Sequence, residues 1–225
     1  MSMKFDISKK WSIFLRIKTS FYEIFLQKFI VIKNSKKEKR FLEIGPGEER
    51  IFEFETINIV KTKNTDYIGD ATKKINFPDK TFDVIYASHI LEHTPWYMLN
   101  KTINEWIRVL KPGGTLEVWV PNSLKIAKAF CDAEDGINTD YVNDGWFRFN
   151  EDRDPAKWFS GRVFSYGDGS GTRGHFNFHL SAFSERFLKK IFIEAGLANV
   201  TVMENCECRG YDHGWINLGI KGVKK

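Results

Sequence analysis

Four of the five histidines stand in two short clusters that could move a proton. His89 and His93 lie with Glu92 in Ser88-His89-Ile90-Leu91-Glu92-His93, and His175 and His179 lie in Gly174-His175-Phe176-Asn177-Phe178-His179. Imidazole titrates near neutrality, so a histidine held beside a hydroxyl or amine can take its proton. On a helix His175 and His179 would form a metal pair, but the glycines before them and the alternating aromatics favour an extended segment. His175, Asn177 and His179 would then share one face, backed by Phe176 and Phe178 on the other. His89, His175 and His179 are therefore the candidate catalytic groups. Hydrogen-bonded structural histidines are the competing reading for the second cluster, with His179 near enough to a helix start to cap it. His89, Glu92 and His93 also have metal-ligating chemistry, yet their spacing supplies three donors and no fourth. No metal is assigned, since Glu92 and His93 can equally stabilise the loop that carries them.

A second chemistry is suggested by Phe41-Leu42-Glu43-Ile44-Gly45-Pro46-Gly47. An apolar run ending in an acid and two glycines lets a ligand approach bare backbone at a strand's carboxyl end, where open α/β sheets bind ligands. Glu43 is placed to organise that loop. A dinucleotide turn would want a third glycine where Arg50 stands, and the stretch before the next strand is too short for a crossover helix. Tyr166-Gly167-Asp168-Gly169-Ser170-Gly171-Thr172-Arg173-Gly174 lacks the lysine of a phosphate loop and reads as a lid.

The elements that must position these residues alternate. Arg40–Ile44, Thr56–Val60, Asp66–Ile68, Phe82–Ala87 and Thr115–Val120 read as strands, and Trp96–Leu110 as a helix stopped by Lys111-Pro112-Gly113-Gly114. Ser181–Ala195 reads as a helix capped by Ser181 and ended by Gly196, followed by strands near Asn199–Glu204 and Trp215–Lys221. This pattern predicts an α/β fold: a seven-stranded, mostly parallel sheet with helices on both faces and an antiparallel last strand. Apolar spacings of three and four from Trp11 to Ile32 predict a basic amphipathic helical arm and linker over residues 1–38. The body then spans 39–225, with an aromatic-rich insertion at about 123–180 that includes Trp146, Phe147, Phe149, Trp158, Phe159, Phe164 and Tyr166. Those rings could wall a pocket, fill a satellite core, or do both, and Arg148, Arg153 and Arg162 could meet an anionic ligand or simply be solvated.

Charge divides at the same boundary. Residues 1–40 carry eleven Lys or Arg against three acids, while the whole chain is only +5, so the body is slightly acidic. That argues against nucleic acid as a partner. No apolar run approaches the roughly 20 residues that span a bilayer, and no secretory leader is evident. Three cysteines, Cys131, Cys206 and Cys208, form no disulfide framework, and a cytoplasmic location is expected. The arm could touch an anionic membrane peripherally, pack over its own domain, or serve a homodimer contact.

Order along the chain adds a further signal. After Phe41–Gly47 come Tyr67-Ile68-Gly69-Asp70-Ala71, then Phe77-Pro78-Asp79-Lys80-Thr81 leading into Phe82-Asp83-Val84-Ile85-Tyr86-Ala87, then the His89–His93 cluster and Arg108-Val109-Leu110-Lys111-Pro112-Gly113-Gly114. In this order residues 41–122 closely resemble the class I S-adenosylmethionine-dependent methyltransferases, in particular a compact bacterial branch with a shortened first crossover. The resemblance implies S-adenosyl-L-methionine as cofactor and S-adenosyl-L-homocysteine as product. It places Glu43, Gly45, Pro46 and Gly47 around the methionine part, and a side chain at Gly45 would intrude on cofactor space. It sets Asp70 on the adenine amino group with Ala71 beside it, and Ala87, Ser88 and His89 toward the sulfonium. The family usually ends its second strand with an acid on the ribose hydroxyls, whereas this sequence offers Val60 or Lys61. Methylation of oxygen or nitrogen on a small-molecule or glycan-like acceptor is the implied activity. A non-catalytic cofactor-binding or scaffolding protein is the alternative. A DNA amino-methyltransferase would carry an Asp/Asn-Pro-Pro-Tyr/Phe motif, where this chain has Ala87-Ser88-His89-Ile90.

Overall fold

The computed structural model describes residues 33–140, 149–164 and 175–225. Seven strands form one sheet: β1 (Phe41–Ile44), β2 (Glu55–Asn58), β3 (Tyr67–Ile68), β4 (Phe82–Ser88), β5 (Leu110–Pro121), β6 (Leu197–Met203) and β7 (Asn217–Lys224). Their spatial order is β3-β2-β1-β4-β5-β7-β6, parallel throughout except that β7 runs antiparallel to both neighbours. This is the sheet the alternation predicts. The arm through residue 32, the rings of Trp146 and Phe147 with Arg148, and the Tyr166–Gly174 run all lie outside the described residues.

Strand order creates the crevice. The chain moves outward from β1 through β2 to β3, then returns to lay β4 on the other side of β1, and such reversal points open a cleft at the strands' carboxyl ends. Ile44 stands opposite both Ile57 and Ala87, so β1, β2 and β4 end level. Ladder bonds continue one residue further, from Gly45 N–H to the Ile57 carbonyl (2.8 Å) and from Gly69 N–H to the Asn58 carbonyl (2.9 Å). The connection from β1 to β2 contains no helix, in keeping with a short first crossover.

Side-chain alternation assigns the faces. Leu42, Ile44, Ile85, Ala87, Leu116 and Val118 pack against α1 (Leu99–Val109) and α4 (Glu185–Glu194) through Ile103, Trp106, Leu188 and Phe192. Phe54, Tyr86, Trp119 and Met203 form a smaller cluster apart from it. Gly219 is obligatory there, because a Cβ would stand 2.6 Å from the Trp119 ring. A third cluster joins α2 (Ser123–Glu134) to α3 (Pro155–Phe164) through Ile126 and Trp158. Lys224 donates to the carbonyls of Ile107 (2.6 Å) and Leu110 (2.7 Å), supplying a cation where α1 ends.

Several boundaries differ from the sequence reading: β5 already starts at Leu110, so Lys111–Gly114 lie within the strand, and other differences fall nearer the crevice. α4 begins at Glu185, capped by Ser184, whose hydroxyl accepts from Phe187 N–H, while Ser181 instead donates to the Thr94 carbonyl at 2.5 Å. β2 ends at Asn58 rather than Val60, with Ile59 and Val60 already in a bend. His175 to Phe178 form a turn closed by Phe178 N–H on the His175 carbonyl (3.1 Å), so His175, Asn177 and His179 do not line up on one extended face.

Candidate functional site

A cavity of about 740 Å³ opens at the carboxyl ends of β1 to β4, within the range of small-ligand sites. Of the residues expected at a cofactor, Gly45, Pro46, Asp70, Ala71 and His89 line it. Glu43, Gly47, Ala87 and Ser88 do not. Glu43 is buried behind the loop, where it accepts a hydrogen bond from Ile51 N–H (2.9 Å). Burial raises its carboxyl above the usual range, against the pull of that bond and of Arg50. That bond ties the end of β1 to the segment just before β2. Ala87 is fully buried in the main core.

The β2–β3 side of the cavity is apolar and glycine-lined, with two polar ends. Ile57, Ile59, Gly69 and Ala71 give flat walls. Asp70 accepts from both the N–H (3.0 Å) and the hydroxyl (2.6 Å) of Thr72 and pairs with Lys73 at 2.9 Å. Burial opposes its ionisation, but these partners together outweigh it and hold the carboxyl below its usual range. An ionised carboxylate has room for about four hydrogen bonds, so capacity remains for a ligand's amino group. Asn58, the last residue of β2, lines the cavity with Ile59 and Val60, whereas Lys61 does not. The apolar pair Ile59-Val60 extends the strand pattern past the residue at which the strand stops.

Beyond Ile90 the lining changes to His93, His175, Phe176, Asn177, Phe178 and Leu180. His89 follows β4 in a left-handed conformation (φ 53°), which a non-glycine residue holds only when its surroundings fix it. They do: its Nε2 meets Asn217 Oδ1 at 2.9 Å, its Nδ1 lies 3.3 Å from Glu92 Oε1, and its ring centre lies 3.7 Å from that of His213, the two rings tilted by 34°. Burial and the neighbouring His89 push His213 down to about 4, so it is neutral near pH 7. Asp212 accepts from Asn217 Nδ2 (2.6 Å), completing a chain from Glu92 through His89 to Asp212.

His179 lies behind this wall rather than on it. It lines a second cavity of about 330 Å³ with Arg162, Phe164 and Ser181. Arg162 is buried, 6% exposed, rather than solvated. Leu180 N–H donates to the Glu92 carbonyl (2.7 Å) and His179 N–H to that of Phe164 (3.0 Å), clipping the 178–181 strap to both segments. Burial holds the His179 imidazole below its ordinary value, against the attraction of Glu92. Glu92, His93 and His179 each offer a donor atom within 4.8 Å of the others, a set still one short of a closed tetrahedral site.

A family model described as a methyltransferase domain matches residues 20–202. The chain belongs to this family. The family's cofactor is S-adenosyl-L-methionine. The methyltransferase chain is 36% identical over 76 residues to a sterol 4-C-methyltransferase of Caenorhabditis elegans, covering 34% of this chain and 22% of that protein. It is 32% identical over 108 residues to a sterol 24-C-methyltransferase of Neurospora crassa, covering 37% of this chain and 28% of that protein. The match thus spans about a quarter of these relatives' length. Among solved structures, a SAM-dependent methyltransferase from Thermotoga maritima is 19% identical with a TM-score of 0.49, covering 96% of this chain and all of that one. Another from Archaeoglobus fulgidus is 16% identical with a TM-score of 0.46, covering 97% of this chain and all of that one.

Proposed function

We propose that this protein transfers a methyl group from S-adenosylmethionine to a hydroxyl or amine of a small acceptor with an apolar face, a sugar-like molecule included. One observation carries the reading: a single cavity has two chemically different halves that meet at Ile90. The first half, from Gly45 to Thr72, suits a nucleoside bearing an amino acid tail. Asp70 accepts from the adenine amino group, Asn58 meets the ribose hydroxyls in place of the family's usual acid, Ile57 and Ala71 pack on the purine, and the Gly45–Pro46 turn borders the methionine part. The second half, with two imidazoles and the rings of Phe176 and Phe178, suits an acceptor that is apolar on its flanks and protic at its reacting atom. A sulfonium supplies an already activated methyl, so in-line positioning accounts for much of the acceleration required.

The test is a methyl-transfer screen with hydroxyl, amine and carbon acceptors, sterols among them, read as S-adenosylhomocysteine formed in step with methylated product. Tight nucleoside binding without turnover on any acceptor would favour the scaffolding alternative instead. Absence of nucleoside binding would remove both readings.

A further inference from the structure

We propose, resting on the methyl-transfer reading above, that His175 and Asn177 recognise the acceptor through hydrogen bonds, and that the acceptor they select is a polyhydroxylated ring rather than a sterol-like skeleton. The histidine spacing in the sequence suggests a base at His175. The turn that carries the ring gives it a different job.

A neutral imidazole carries a proton on one nitrogen and a lone pair on the other, and the partner of one nitrogen fixes the state of both. Two bonds tie the turn together: Phe178 N–H donates to the His175 carbonyl (3.1 Å), and Asn177 N–H donates to His175 Nδ1 (3.2 Å). A backbone N–H can only donate, so Nδ1 holds the lone pair and the proton stands on Nε2. The ring also stacks on Phe176, with centroids 4.2 Å apart and planes at 28°. Held in this way, His175 can donate to an acceptor oxygen but cannot take its proton. The other two candidate histidines do not compete for this place. His89 has both ring nitrogens engaged, by Asn217 and Glu92, and His179 is absent from the lining of the main cavity.

Asn177 lines the same half of the cavity. Its backbone N–H is spent on His175, while its carboxamide, like Nε2 of His175, has no hydrogen bond to a described residue. A carboxamide offers two N–H donors and an oxygen acceptor, so it can satisfy both halves of one hydroxyl or bridge two on neighbouring carbons. One tight turn thus presents a donor and a donor–acceptor pair two residues apart. Phe176 and Phe178, interleaved with them in the same lining, add flat apolar surface on which the C–H face of a ring can pack. A ring carrying several hydroxyls engages both polar residues and both phenylalanines. A sterol-like skeleton, with a single hydroxyl at one end, would engage one polar residue and strip water from the other. A polar group left unpaired in that way counts against the ligand that leaves it so.

The experiment uses the full chain with a panel of methyl pyranosides, their amino and carboxylate forms, and cholesterol. Transfer to a pyranoside supports the assignment, and a higher kcat/KM on cholesterol overturns it. With the pyranoside, His175→Leu and Asn177→Leu should each raise KM roughly 5–10-fold, the worth of one hydrogen bond, with kcat little changed. His175→Gln, which restores an N–H near the place of Nε2, should recover most of the loss. Unchanged KM in both leucine variants overturns the proposal. So does a kcat lowered by about 10² in both His175→Leu and His175→Gln, which would make His175 a base. Should a variant not fold, or no acceptor turn over, ¹⁵N–¹H spectra of the wild type titrated with the pyranosides decide. His175 protonated at Nε2, with its ring and the Asn177 amide signals shifting, supports the recognition. Protonation at Nδ1, or signals unmoved by every pyranoside, overturns it. These spectra need no turnover, so a failure of the methyl-transfer reading is separable from a failure of recognition.

Discussion

The side chain of Ile90 fills the space in which a Cβ on Gly45 would stand, and Gly45 itself has a φ of +72°. Added bulk at Gly45 therefore meets the protein's own residue across the crevice before it meets a cofactor, correcting the expectation that it would simply intrude on the ligand. Gly45→Ala should cost about 1–3 kcal/mol from overpacking and left-handed strain. Gly47→Ala has nothing within 4 Å of the new Cβ and should melt within a degree or so of the wild type. Thermal melts of the two variants check this. Ile90→Ala added to Gly45→Ala should recover part of the loss, and equal melting of both single variants would refute the asymmetry.

Asp70 and Asn58 make separable contributions to nucleoside affinity. Asp70→Ala should weaken S-adenosylhomocysteine binding by about 1–3 kcal/mol, the cost of a buried amino group left without its partner. Asn58→Ala should weaken it by about 1 kcal/mol, the worth of a neutral hydrogen bond. Calorimetry measures both. Adenosine in place of the full product should feel both losses equally, because the two residues border the nucleoside rather than the amino acid tail. An undiminished affinity in either variant would remove that residue from the site.

The fold was legible because its signals are collective. Leu42, Ile44, Ile85 and Val118 recur at strand spacing between glycine-rich turns, and any misplacement by a residue would expose a whole face. Local ends were not legible. Ile59 and Val60 continue an apolar run, yet the chain must bend there to reach β3, so the pattern alone does not single out Asn58. Ser181 and Ser184 are both competent caps, and only the tertiary partner of Ser181, the Thr94 carbonyl, decides between them. The alternation from His175 to His179 suggests a strand until the turn bond between Phe178 and His175 closes. Imidazole tautomers depend on carbonyls and amides remote in sequence.

Beneath the crevice, Glu55 binds Arg40 in a fork, with Nε to Oε1 at 2.9 Å and Nη2 to Oε2 at 2.8 Å, and accepts from the Tyr67 hydroxyl at 2.6 Å. The Glu55 side chain is wholly buried and that of Arg40 is 10% exposed, so one partner cannot be removed without stranding the other. Glu55→Gln should destabilise the chain by about 3–5 kcal/mol, as for a broken buried pair. Tyr67→Phe should cost about 2 kcal/mol, since the bond to Glu55 and the one accepted from Asn34 are both lost. Denaturant unfolding gives both values. A Glu55→Gln cost below that of Tyr67→Phe would contradict the view that this fork ties β1, β2 and β3 together.

Acid should unlock a second tie at the opposite edge of β1. Asp83 accepts from Arg40 N–H (2.8 Å) and pairs with the Lys111 ammonium (2.7 Å). Burial works against its ionisation, but Lys111 and the Arg40 N–H together outweigh that and hold the carboxyl below its ordinary 3.8. Between the folded and unfolded values the unfolded chain binds more protons, so stability rises with pH there. The contribution is fully present above 3.8 and is lost as pH falls through the lower folded-state value. The side chain is 29% exposed, so salt should shrink the effect. Asp83→Asn should accordingly melt below the wild type at pH 6, with the gap closing as the pH is lowered past the ordinary carboxylate range. A gap that persists unchanged into acid would mean that Asp83 acts by shape rather than charge.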